Sequence, residues 1–195
     1  EAREMTPDTA RAMDEFYMDT INYRRPLSVR DDYLGGEPLL NTGVLLDSAA
    51  RRFNHCRNKN IDYGFTITTN GVLLTRAIVL KMKSAGLAGI RVSLAGPARV
   101  HDPLRPSATQ GKTYDTIIRN LKSVSGMTPI AIECQYDSGS TDYRLMPEMY
   151  EDLKKQDIVI DDIHFTPILK KRGECRFNTG LGDPKIALDL MKEAR

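Results

Sequence analysis

The stretch IDYGFTITTNGVLLTRAIVLKMKSAGLAGIRVSL, residues 61–94, decides the fold. Tyr63, Phe65 and Ile67 alternate with glycine or threonine, the period-two pattern of a strand. The run stops at Thr69-Asn70-Gly71. Thr75 then suits an N-cap, Ile78, Met82 and Ala85 recur at helical spacing, and Gly86 is a natural helix stop. A second strand follows over residues 90–94. A strand, a helix and another strand in so short a span read as one parallel crossover unit.

The same alternation runs outward in both directions. Upstream, Thr6 and Pro7 open a helix carrying Ala10, Met13 and Tyr17. A short strand over residues 27–34 ends at Gly35-Gly36, and a helix over 42–56 places Leu46, Ala49 and Phe53 on one face. Downstream, residues 114–124 read as a helix with Ile117, Ile118 and Leu121 inward, and residues 129–136 as a strand. Leu145, Met149 and Leu153 mark a helix, residues 158–168 a strand with a polar middle, and Asp183-Pro184 starts a last helix with Ile186, Leu190 and Met191. Residues 95–112 form the longest irregular stretch.

This pattern gives five strands and six helices in one α/β domain over residues 1–195. A helix comes first, so the expected architecture is a partial (β/α)6 TIM-like barrel of parallel strands whose first strand is missing. A full eightfold barrel takes about 250 residues. An open doubly wound sheet is the alternative.

Composition narrows the function classes. Hydrophobic residues make up 41% and charged residues 28% of the 195, with a formal net charge of +2. That balance fits a soluble globular chain and gives no footing for nucleic-acid binding. No long apolar run offers a membrane span, and no charged-then-apolar leader opens the chain. Cys56, Cys134 and Cys175 are far apart, with no C-x-x-C spacing, so they read as buried thiols in a reducing, cytoplasmic compartment.

In parallel α/β folds the ligand lies beyond the carboxyl ends of the strands. The distinctive polar motifs fall there: Gly35-Gly36-Glu37-Pro38, Thr69-Asn70-Gly71, Ser93-Leu94-Ala95-Gly96-Pro97 and Thr166-Pro167-Ile168-Leu169. Taken singly, each reads equally as an ordinary turn. Glu37 offers a carboxylate at the mouth, chemistry suited to an ammonium group.

In order and spacing these motifs resemble the radical S-adenosylmethionine (radical SAM) enzymes that modify peptides and proteins. That group includes the anaerobic sulfatase-maturating enzymes and the peptide maturases with a SPASM domain. The resemblance covers residues 33–169: G-G-E-P-L-L at Gly35 to Leu40, T-N-G at Thr69 to Gly71, S-L-A-G-P at Ser93 to Pro97, Val100-His101-Asp102, Arg105, and G-K-T-Y-D at Gly111 to Asp115. Ala95 departs from the pattern, which has aspartate there.

The resemblance implies an S-adenosylmethionine site. Gly35, Gly36 and Glu37 would hold the methionine ammonium, Ser93 the ribose or carboxylate region, and Arg105 the carboxylate. Leu169 would pack by the adenine, and Asn70 would face the same cavity. It also implies a [4Fe–4S] cluster held by C-x-x-x-C-x-x-C, a motif this sequence lacks, along with the SPASM cysteines. The implied reaction is reductive cleavage of S-adenosylmethionine to a 5′-deoxyadenosyl radical that takes hydrogen from a peptide or protein. An electron donor such as flavodoxin or ferredoxin would serve it. Without cluster ligands the chain alone is expected to be inactive.

Other residues carry weaker signals. Asp31-Asp32 and Asp161-Asp162 should each turn one carboxylate inward, as an ion pair in a polar lumen or as a proton acceptor. His101 reads as a loop hydrogen bonder, Glu133 and His164 as cavity-facing, and Lys170-Lys171-Arg172 as a solvated loop. A bared barrel edge invites self-association. Two alternatives stay open: a binding or scaffold fragment, and an unrelated barrel enzyme using Glu37 and an inward aspartate.

Overall fold

The computed structural model describes residues 4–107, 111–136 and 143–167. The chain opens with α1 (Pro7–Arg24), then β1 (Ser28–Tyr33), α2 (Thr42–Asn58), β2 (Asp62–Thr69), α3 (Arg76–Ser84) and β3 (Leu87–Ser93). It continues with α4 (Ala98–Leu104), α5 (Tyr114–Val124), β4 (Ile130–Tyr136), α6 (Met146–Lys155) and β5 (Asp162–Pro167). A 3₁₀ turn, Pro38–Asn41, joins β1 to α2.

All neighbouring strands pair in parallel, and their order in the sheet is their order in the chain, β1 to β5. Each crossover therefore steps the same way round. A doubly wound sheet reverses direction at a switch point; this one does not, and the barrel-like arc is the architecture found. Cys175, the Lys170-Lys171-Arg172 run, Leu169 and the expected last helix from Asp183 lie outside the described residues.

Local chemistry explains the elements. The Thr6 hydroxyl accepts from the Thr9 N–H at 3.2 Å with Pro7 in the first turn, and the Thr75 hydroxyl accepts from the Ile78 N–H at 3.3 Å. Phe65, Ile67, Ile90, Val92, Ile130 and Ile132 face the helices and meet Val79, Met82, Ile117 and Leu121 in one core. The alternate residues of each strand line the opposite face, which becomes the lumen of the arc.

Two expectations are corrected. Residues 95–112 are not irregular throughout, because α4 lies inside them. It is short, polar and carries Pro103, so neither apolar periodicity nor length announced it. On α1, Met13 is half-exposed and the neighbouring Asp14 is wholly buried.

Asp14 is buried because it is fully partnered. Its carboxylate accepts from the Ser48 hydroxyl at 2.6 Å, Arg51 at 2.6 Å and Arg52 at 2.7 Å. Arg52 also reaches Asp31 at 3.1 Å, and Asp31 accepts from the hydroxyls of Tyr17 and Tyr63. Burial raises the Asp14 pKa, yet the bonds from Ser48, Arg51 and Arg52 outweigh it and hold the carboxyl below its ordinary range. This sealed network bolts α1 and α2 to β1 and β2. It also resolves the Asp31-Asp32 pair: Asp31 faces the helices, and Asp32 faces the lumen, where Thr66 donates to it.

Among the described residues no helix is long and apolar enough to cross a membrane.

Candidate functional site at the carboxyl rim

The turn after β1 is tied to the turn after β2 by one side chain. Glu37 Oε1 accepts from the Leu39 N–H at 2.9 Å and from the Thr69 hydroxyl at 2.8 Å; Oε2 accepts from the Asn70 N–H at 2.7 Å. The first bond caps the 3₁₀ turn, and the other two cross to the neighbouring strand end. Glu37 is thus a brace between two motifs, with part of its acceptor capacity left over.

Gly35 and Gly36 sit beside it. Gly35 has φ 155°, a conformation side chains rarely adopt. Gly36 has no such need, and a Cβ built on it meets nothing within 4 Å. Neither packing nor conformation explains this second glycine. Its backbone lies open to close approach, as a ligand-binding turn requires.

The turn after β2 is held from three sides. Asn70 Oδ1 accepts from the Val72 N–H at 2.9 Å, and the Thr69 hydroxyl accepts from the Gly71 N–H at 3.1 Å. From α5, Asn120 Nδ2 donates to the carbonyls of Gly71 and Val72 at 2.9 and 2.8 Å. Gly71 is required twice over: its φ is 78°, and a Cβ there would meet Ile117 and Val92 at 3.0 Å. Asn70 remains exposed at the rim.

Ser93 ends β3 on the lumen side, buried, paired in register with Glu133 of β4. The loop beyond it is pinned by α4. His101 Nδ1 accepts from the Ala95 N–H at 3.2 Å, and Nε2 lies 3.0 Å from the Thr113 hydroxyl. Asp102 Oδ1 accepts from the N–H groups of Thr113 and Tyr114 at 3.0 and 2.9 Å, capping α5. Val100-His101-Asp102 is therefore a structural clasp, as expected of His101.

Arg105 ends α4. Its guanidinium donates to Gln135 Oε1 at 2.6 Å, and its carbonyl accepts from the Thr113 hydroxyl at 3.0 Å. Burial presses its pKa down, with Glu133 and Cys134 opposing. Below it the lumen is polar. Thr166 donates to Glu133 at 3.2 Å, and His164 stands 3.2 Å from Asp162. Asp161 instead accepts from the Ile130 N–H at 2.8 Å and closes the start of a ladder.

The rim thus gathers Gly35, Gly36, Glu37 and Asn70 on one flank and Ser93 and Arg105 on the other. Leu169 lies outside the described residues. Sequence reading missed Thr69, Asn120, Thr113 and Gln135 as the supports of these groups. Asn120 was detectable as an amide inside the apolar pattern of α5; Gln135 only by its strand parity with Glu133.

The described residues do not fit an iron–sulfur cluster. Among them no three His, Cys, Asp or Glu side chains gather to hold a metal. Cys56 and Cys134 are buried. Burial pushes the Cys134 thiol up to about 12 and raises that of Cys56 as well, the opposite of a metal-ready thiolate. At the strand ends stand a half-buried arginine held by Gln135, a buried serine and an exposed glycine turn with a carboxylate beside it.

The architecture is that of parallel-barrel enzymes solved with S-adenosylmethionine. Native anSMEcpe, an anaerobic sulfatase-maturating enzyme, with bound AdoMet and Cp18Cys peptide matches at TM-score 0.72 and 18% identity, over 100% of this chain and 52% of that one. The same enzyme with AdoMet and Kp18Cys peptide gives 0.69 and 17%, over 97% and 50%. Streptococcus suis SuiB bound to S-adenosylmethionine gives 0.62 and 17%, over 100% and 43%. The chain spans about half the length of these neighbours. No protein-family model and no curated protein matches the sequence.

Proposed function

We propose that this chain is the S-adenosylmethionine-binding part of a radical SAM enzyme that modifies a peptide or protein. The observation that carries the reading is the Glu37 bridge. It joins G-G-E-P to T-N-G on the rim where Ser93 and Arg105 also stand. The likeness of fold to anSMEcpe and SuiB supports it.

In this reading the Gly35-Gly36-Glu37 turn holds the methionine ammonium, through its carbonyls and the acceptor capacity left on the Glu37 carboxylate. Arg105 holds the methionine carboxylate as a permanent cation, and Gln135 orients it. Ser93 bonds the ribose or carboxylate region and Asn70 closes the near side; by resemblance Leu169, outside the described residues, would belong to the adenine. Given one electron from outside this chain, bound S-adenosylmethionine would supply the chemistry of hydrogen-atom abstraction from substrate. The chain's own residues bind it, orient it and line the polar lumen below.

The [4Fe–4S] cluster belongs to this reading by resemblance, and the described residues provide no ligands for it. Asn41 Nδ2 donates to the Met5 carbonyl at 2.8 Å, and Asn41 ends the turn that begins at Glu37. A flavodoxin or ferredoxin would reduce the cluster in the cytoplasm. Among the described residues β1 and β5 each pair on one side only, and self-association would use those edges.

The test is anaerobic reconstitution of the intact protein with iron and sulfide, read by electron paramagnetic resonance. A cluster signal that shifts on adding S-adenosylmethionine is expected. A signal indifferent to it, or no cluster at all, sinks the reading.

A further inference from the structure

We propose that His101 and Thr113 are positioning residues of the ligand site: one directed hydrogen-bond chain through them ties the loop after β3 to Arg105 and sets where a ligand carboxylate is held. This rests on the S-adenosylmethionine reading and deepens it.

The direction of every link follows from the one before. His101 is 1% exposed, so its ring has no solvent to satisfy it. Nδ1 faces the Ala95 N–H at 3.2 Å and must accept. An accepting imidazole nitrogen carries no proton, so the neutral ring holds its proton on Nε2. Nε2 therefore donates to the Thr113 hydroxyl at 3.0 Å. That hydroxyl then donates to the Arg105 carbonyl at 3.0 Å. No link can reverse without breaking another.

The chain joins the two groups on the far flank of the site. Ala95 lies two residues beyond Ser93, and Arg105 is fixed from both sides of its backbone: its N–H donates to the His101 carbonyl at 2.8 Å. Asp102 keeps Thr113 in place by capping α5. Arg105 can then extend to the lumen from an anchored main chain, with Gln135 setting the guanidinium. A threonine at the start of a helix and a histidine inside another thereby act on a group neither touches with its ligand face.

The experiment measures dissociation constants on the intact, reconstituted protein for S-adenosylmethionine and for 5′-methylthioadenosine, which lacks the carboxylate. Thr113→Val removes the last two links at constant volume. We expect it to weaken S-adenosylmethionine about tenfold, the size of one lost hydrogen bond, and to leave 5′-methylthioadenosine unchanged. Thr113→Ser restores the hydroxyl and should bind as the parent does. His101→Asn keeps an acceptor for Ala95 but cannot reach Thr113, and should show the same selective loss; it serves if the valine variant fails to fold. Folded variants that bind S-adenosylmethionine normally, or lose both ligands equally, overturn the inference. Arg105→Gln separates this from failure of the underlying reading: if the parent binds S-adenosylmethionine and Arg105→Gln does not weaken it, the assignment of the carboxylate to Arg105 is wrong, and the inference falls with it.

Discussion

The two rims of the sheet solve the same problem, turning the chain, by different means. At the amino rim all five returns from helix to strand pass through a left-handed residue: Arg25, Asn60, Gly86, Gly126 and Asp157. Each return is local and repeats its neighbours' solution. At the carboxyl rim the loops after β1, β2 and β3 are braced by side chains from other elements. Glu37 reaches Asn70, Asn120 reaches Gly71, His101 reaches Ala95, and Asp102 reaches Thr113. Repetition at one end serves the fold; cross-bracing at the other holds a particular arrangement of groups, as the division of labour in parallel barrels requires.

The largest effect should come from beneath both rims. Asp14→Ala leaves Arg51 and Arg52 facing a void in the sealed network, and breaking a buried ion pair costs about 3–5 kcal/mol. Denaturant unfolding should show that loss, with both rims failing together. The Asp14 shift adds a pH dependence. Its carboxyl is depressed in the folded state, so its contribution is present above the ordinary value of 3.8 and fades as pH falls below it. The parent should lose more melting temperature between pH 5 and pH 3 than the alanine variant, at roughly those pH values.

Glu37→Ala should act on the carboxyl rim alone. It strands the N–H of buried Leu39, at about 1–3 kcal/mol, and gives the Asn70 N–H to water. Hydrogen exchange should quicken at Asn70 and Leu39 and stay unchanged at the amino-rim returns. Uniform quickening across both rims would erase the contrast.

His101 sharpens it further. Burial first, then the Arg105 charge, lowers the imidazole from 6.5 to about 4, with Asp102 opposing; Tyr114 packs against the ring edge. A depressed group binds fewer protons folded than unfolded. Its stabilisation is whole above 6.5 and drains as pH falls toward 4. His101→Asn should flatten the melting-temperature profile across that window.

The smallest effect lies at the amino rim. Arg25 has φ 50°, a conformation glycine takes without strain. Arg25→Gly should shift stability by less than about 1 kcal/mol, with ligand affinity untouched.

How much was legible follows the same division. Period-two and helical spacings made the β–α–β order readable, because apolar burial against one helix layer imposes them. Thr6, Thr75 and Gly86 were readable as caps because capping is local chemistry. Alpha4 was not, since a short helix held by His101 and Asp102 owes its place to tertiary hydrogen bonds rather than to an apolar stripe. At the site, Gly35, Glu37, Asn70, Ser93 and Arg105 stood out by motif. Their supports, Thr69, Asn120, Thr113 and Gln135, did not, because each acts across tens of residues or through a backbone group. The burial of Asp14 in place of Met13 was unreadable for a related reason: its partners Ser48, Arg51 and Arg52 come from another helix.

The match between strand order and chain order has a consequence for how the protein is made. During synthesis each new strand meets a ladder partner that left the ribosome just before it, so assembly can proceed one unit at a time from the amino end. Neighbour-only pairing keeps each loop closure short, and short closures are the quick ones. The nascent sheet always carries one growing edge, and the next strand to emerge is the one that covers it.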